Sequence, residues 1–113
     1  MAAKRVILEM GAGNDLHGGD YTKAAIRAVE DALHHSSLSF IRSLGIDKDQ
    51  LRVDVTVGVQ QPERVDIERV KTVLPVGRVS VRATKGGLDV PDEAVRDVAV
   101  IATAAVEVWL ERQ

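Results

Sequence analysis

Leu51 to Val59 reads LRVDVTVGV, and its alternation decides how the rest of the chain must be arranged. Leu51, Val53, Val55, Val57 and Val59 fall on one side of an extended backbone, and Arg52, Asp54, Thr56 and Gly58 on the other. A period of two with one apolar side is the mark of a half-buried strand, so something must cover the valines. The cover has to come from amphipathic helices elsewhere in the sequence.

Downstream, Pro62 ends the strand, and Asp66 is placed to cap a short helix through Leu74 that presents Ile67, Val70 and Leu74. Pro75 and Gly77 close it. RVSVRAT (78–84) then repeats the alternation, with Val79, Val81 and Ala83 inward, and Gly86 and Gly87 finish that strand. In the last segment, DVAVIATAAVEVWLER, the alanines would suit a helix. The series Val98, Val100, Ala102, Ala104, Val106, Val108, Leu110 predicts a long strand instead.

Upstream, RVILEM (5–10) predicts a short strand ending at Gly11, with Val6, Leu8 and Met10 alternating against Ile7 and Glu9. Asp20 stands at the N-cap of a helix starting at Tyr21, whose stripe of Ile26, Val29, Leu33, Phe40 and Leu44 runs towards Gly45. The run HHSSLS predicts a break or kink near Ser36 to Ser39.

The expected architecture is therefore α+β, a β-α-β-α-β-β order in which two helices cover the valine face of a four-stranded mixed sheet. At 113 residues the chain has length for a single domain, 1–113. With the valines under the helices, Glu9, Arg52, Asp54, Arg78, Arg82, Thr103 and Glu107 share the opposite face with Ile7, Ile101 and Trp109. Such a mixed face is either solvated or the lining of a subunit interface. Ala99, Ile101 and Ala105 favour a homo-oligomer.

Composition removes several function classes. Fifteen Lys and Arg against seventeen Asp and Glu leave a net charge of −2, and three aromatic residues are too few for a base-stacking surface, so no nucleic acid partner is expected. With no cysteine there is neither a disulfide nor a thiolate nucleophile. The longest apolar run, VAVIATAAV, has nine residues against the roughly 20 that span a bilayer, which predicts a cytoplasmic chain without a membrane partner.

Chemistry is most concentrated in GAGNDLHGGDYTKAA (11–25). The glycine spacing fits neither a dinucleotide fingerprint nor a phosphate loop, and Asp15 and Asp20 would compete with a phosphate for the helix amides. Asp15 and His17, two residues apart, point the same way in an extended loop. His17 is the candidate general base, Asp15 its orienter, and Lys23 or Thr22 a group to bind an anion or oxyanion. Gly18 and Gly19 would let backbone approach a ligand, and Arg82 and Lys85 are further candidates for binding it. The other reading of the loop is structural: Asx-type turns at Asp15 and Asp20, and glycines supplying positive φ. Asp15, His17 and Asp20 do not make a metal site, because Asp20 is committed to the cap, and no cofactor is expected.

The run GAGNDLHGGDYTKAAIRAVEDALHHSSL, with VDVTVGV, VDIERVKTVLPVG, KGGL and AAVEV, resembles the Lin-type family of small conserved hypothetical proteins over nearly the whole chain. That resemblance implies kinship and fold, without an assigned reaction. The element order is similar to the chorismate mutase-like fold of the YjgF-type proteins and of the repeats in cyanuric acid hydrolase and barbiturase. This likeness implies threefold assembly, a trimer or a multiple of it, with small-molecule sites between subunits. Where those amidohydrolases carry Ser-Gly-Gly, this chain has Lys85-Gly86-Gly87, which argues against their serine mechanism. The expectation is thus a small-molecule enzyme, acid-base or hydrolytic, with an interface site; the alternative is a non-catalytic oligomeric metabolite-binding protein.

Overall fold

The structure is a computed structural model, and it describes residues 3–34, 45–47, 50–74 and 77–111. In chain order it runs β1 (Ala3–Asp15), α1 (Tyr21–His34), β2 (Leu51–Val59), a 3-10 turn (Pro62–Arg64), α2 (Ile67–Lys71), β3 (Arg78–Lys85), β4 (Leu88–Asp92) and β5 (Asp97–Glu111). This is an α+β fold with a mixed sheet of five strands rather than four. The order across the sheet is β1-β5-β2-β3, with β4 pairing β5 off that path. Only β2 and β3 are parallel, joined by the α2 crossover, while β5 runs antiparallel to β1, β2 and β4.

β5 is the spine. Its C-terminal part, Thr103 to Leu110, pairs β2, and its first residues, Asp97 to Ile101, pair β4. β2 and β4 thus lie end to end along one flank, and β1 follows nearly the whole of the other. β4 and the turn 93–96 form the tip of an arm, in a chain 56 Å long and 23 by 18 Å across. The sequence expectation passed over β4 because a five-residue run containing Pro91 lacks the length and donors of a strand paired on both sides; a hairpin strand tolerates both.

The core is valine and alanine. Val53, Val55, Val57 and Val59 of β2, and Val100, Ala102, Ala104, Val106 and Val108 of β5, are buried under α1, which contributes Tyr21, Ala24, Ala25, Ala28, Val29 and Ala32. The stripe of α1 is therefore centred on alanines, with Ile26 and Leu33 half-buried at its margins. Phe40, Leu44 and the break expected near Ser36 to Ser39 lie outside the described residues.

β1 departs most from expectation. It continues through Gly11 to Asp15, and its faces are inverted: Ile7, Glu9, Gly11, Gly13 and Asp15 lie on the helix side, and Val6, Leu8 and Met10 on the open side. The register shifts between Arg5 and Ile7, so Val6 is bulged. The cause is α1, which crosses directly over the strand backbone. A Cβ at Gly13 would stand 2.3 Å from the Ala28 nitrogen, and one at Gly11 2.5 Å from the Ala28 oxygen. Only glycine permits that approach, and the small side chains of α1 complete it. Side chains of α1 also reach the edge of β1: Ala12 N–H donates to Asp31 Oδ2 at 3.0 Å, and Arg27 Nη1 donates to the Asn14 carbonyl at 2.6 Å.

Candidate functional site

The loop 16–20 joins β1 to α1 beside the arm. Gly18 and Gly19 have φ of 90° and 59°, the left-handed region that lets the chain reverse in so few residues. Gly19 is buried, and a Cβ there would meet Val98 Cγ1 at 2.6 Å, whereas Gly18 has open space around it. Asp20 caps α1, accepting from Lys23 N–H at 3.0 Å.

Asp15 does not orient the imidazole. Its carboxylate is buried at the end of β1, accepts the Asp20 N–H at 3.0 Å, and faces Arg27 Nη1 at 3.6 Å and Lys23 Nζ at 4.0 Å. That arrangement ties the strand end to the first turns of the helix. Lys23, half-exposed, reaches Asp15 only at the limit of ion-pair range. Thr22 is committed, its buried Oγ1 accepting the Asp66 N–H at 2.8 Å and so joining the starts of the two helices.

The carboxylate that holds His17 is Asp97, the first residue of β5. Asp97 Oδ2 lies 3.1 Å from His17 Nδ1, and Asp97 Oδ1 accepts the Gly18 N–H at 2.8 Å. The same oxygen accepts the Val98 N–H at 2.8 Å. Those two backbone donors first, and the imidazole after them, hold the Asp97 carboxyl below the usual aspartate range. The ring itself is 89% exposed, so one nitrogen is fixed and the other faces outward. His17 and Asp97 border a cleft of about 620 Å³ whose walls are Leu16, Val90, Pro91, Val95, Val98 and Ala99, with Asp92 and Glu93 at the hairpin turn.

Arg82 and Lys85 are not among the residues lining this cleft. Arg82 stands on β3, donates to Thr56 Oγ1 at 3.0 Å, and lines a separate hollow of about 180 Å³ with Asp54, Ser80 and Glu107. Lys85 is exposed at the end of β3. Beside it the glycines are packed, not open: a Cβ on Gly86 would stand 3.2 Å from Gly58 Cα, and one on Gly87 2.0 Å from the Ile101 oxygen. Among the described residues no three His, Asp or Glu side chains gather closely enough to hold a metal ion.

A second polar cluster, unmarked by any motif, lies under the 3-10 turn. Tyr21 donates its hydroxyl to Asp89 Oδ2 in a short bond and accepts from Gln61 Nε2 at 3.1 Å, with the Arg64 guanidinium 5.1 Å from its ring centre. Burial, and then the bond to the Asp89 carboxylate, push the Tyr21 phenol above its ordinary value. Asp89 Oδ1 is buried and, among the described residues, has no hydrogen-bond partner. The four residues come from α1, β4 and the turn between them in space, so local spacing carried no signal of the cluster.

The chain belongs to the conserved hypothetical protein family Lin0512_fam, whose model matches residues 5–108. Its fold is shared by a crystallised FtsZ-like protein of unknown function from Nostoc punctiforme PCC 73102, which is 38% identical, with 99% of each chain covered and a TM-score of 0.85. No curated protein matches the sequence.

Proposed function

We propose that this Lin0512_fam chain is a homo-oligomeric protein that binds a small molecule in the His17–Asp97 cleft and moves a proton with the imidazole. One observation carries the reading: His17 is anchored through Nδ1 by a carboxylate whose own position is fixed by two backbone amides, while the ring stands 89% exposed at the cleft. With Nδ1–H donating to Asp97, Nε2 is the acceptor, the tautomer a general base requires. The order β1-β5-β2-β3, with both helices on one face, supports the likeness to the chorismate mutase-like fold and to its sites between subunits.

The lining selects the ligand. Asp92, Glu93 and Asp97 disfavour a phosphate or carboxylate and suit a cationic or hydrogen-donating group, while Val90, Pro91, Val95 and Val98 suit an apolar body. Among the described residues of this lining there is no Ser, Thr, Lys or Arg, which favours proton transfer over hydrolysis through a serine nucleophile. The same lack supports the second reading, a binding protein that returns its ligand unchanged.

A melting screen against small amines and other metabolites, run on the wild type, His17→Ala and Asp97→Asn, tests the proposal. A compound that stabilises the wild type should lose most of its effect in both variants, and product analysis by mass spectrometry separates catalysis from binding. Equal stabilisation of His17→Ala would refute the site.

A further inference from the structure

The face of the sheet opposite the helices carries an apolar band and, among the described residues, nothing that covers it. Val6, Leu8 and Met10 of β1, Ile101 of β5, and Leu88 and Val90 of β4 are 38–66% exposed. Register places Leu88 opposite Ile101 and Val90 opposite Ala99, and, past Asn14 opposite Ile101 and Ala12 opposite Thr103, Met10 opposite Ala105 and Leu8 opposite Glu107. The band therefore crosses the sheet diagonally from the arm to the start of β1. An exposed apolar band of this kind marks an interaction site.

We propose that this open face is where a second copy of the chain packs, the two sheets meeting face to face and the partner roofing the His17 cleft. The proposal deepens the reading above and rests on its oligomeric part. Continuity supports the roof, because Val90 and Ala99 belong both to the open face and to the wall of the cleft.

Charge disfavours a membrane or a nucleic acid as the occupant, which leaves a protein surface such as a second copy. The polar corner of the same face holds Arg5, Arg52, Arg78 and Arg82 against Asp54, Glu107 and Glu111, arranged as close pairs: Arg5 to Glu107 at 3.1 Å, Arg52 to Asp54 at 3.2 Å, and Arg78 to Glu111. These pairs close within the chain and leave a nearly balanced surface, whereas an anionic membrane or a nucleic acid calls for a basic excess. The edge of β1 is a poorer route to assembly, since Asp31 and Arg27 already occupy backbone groups of Ala12 and Asn14. Area agrees: from Ala99 to Trp109 the face is about 33 Å long and, across four strands, about 19 Å wide. That gives roughly 600 Å² before side-chain relief is added, close to the ~800 Å² per partner of a stable interface.

The test is the mass of the full chain by light scattering at micromolar concentration. The wild type should have the mass of at least two chains, and Met10→Glu, an exposed position whose change cannot disturb the core, should lower the mass at least twofold with an unchanged circular dichroism spectrum. Met10→Lys with Ile101→Lys should do the same, and Glu30→Lys on the helix side should leave the mass unaltered. A monomeric wild type, or one that is monomeric and pellets with anionic vesicles, overturns the proposal. So does an oligomer that survives both sets of changes, even if His17→Ala abolishes ligand stabilisation, in which case the cleft stands alone. A Met10→Glu monomer with full ligand stabilisation keeps the interface and removes the shared roof.

Discussion

Replacing Gly13 by alanine adds one methyl group at the point where α1 crosses β1, and the structure says what that methyl meets. Its Cβ would lie 2.3 Å from the Ala28 nitrogen and 2.6 Å from both the carbonyl carbon and Cβ of Arg27. Backbone atoms cannot rotate away, so the helix must lift from the strand and loosen Ala24, Ala28 and Ala32, which are fully buried. Overpacking of this type costs about 3 kcal/mol at the upper end of its usual range. The lost freedom of glycine in the unfolded chain offsets up to about 1 kcal/mol. A net loss of about 2 kcal/mol lowers the melting temperature of a domain this size by roughly 8 °C. Thermal melts by circular dichroism should show that drop for Gly13→Ala, while Ala12→Val, on the exposed side of the same strand, should stay within about 2 °C of the wild type. If Gly13→Ala melts with the wild type and Ala12→Val falls instead, the helix does not lie on that face of β1.

Three further outcomes follow from the polar contacts. Tyr21→Phe removes the donor to Asp89 and leaves a half-buried carboxylate whose second oxygen has no partner among the described residues, a loss of about 1–3 kcal/mol by urea denaturation. In the wild type the tyrosine absorbance should titrate above the ordinary ~10, and a midpoint at or below that value would refute the burial and bonding assigned to the phenol. Asp97 has a depressed folded value, so its stabilising effect is present above the unfolded ~3.9 and is lost as pH falls through the lower folded value. Asp97→Asn should therefore melt below the wild type at neutral pH, with the gap closing in acid; a gap independent of pH would count against the carboxylate as the anchor.

Much of the scaffold could be read directly from residue order. The alternation of Leu51 to Val59 defined a strand with the observed bounds, and the β-branched series in the last segment identified a strand despite its alanines. Asp66 was recognisable as a cap because an N-cap is a local device, and its side chain does accept the Arg69 N–H at 3.3 Å. β1 was read too short and with its faces reversed, for a physical reason. Val6, Leu8 and Met10 compete with Ile7 for the core, and the deciding contact is the approach of a helix to Gly11 and Gly13.

The candidate site divides along the same line. That the loop 11–25 sets an imidazole among glycines was visible in its composition, but nearness in sequence points to Asp15 as the partner of the ring, and the structure does not. The ring is held by Asp97, eighty positions away, because β5 runs antiparallel to β1 and brings its first residue back to the loop. The chain alone thus determined periodicity, caps, charge balance and the presence of a histidine among glycines, all properties that repeat within a few residues. Strand order, the face that β1 presents and the carboxylate paired with His17 were decided by tertiary packing, since each depends on which distant backbone can approach closely enough to make contact.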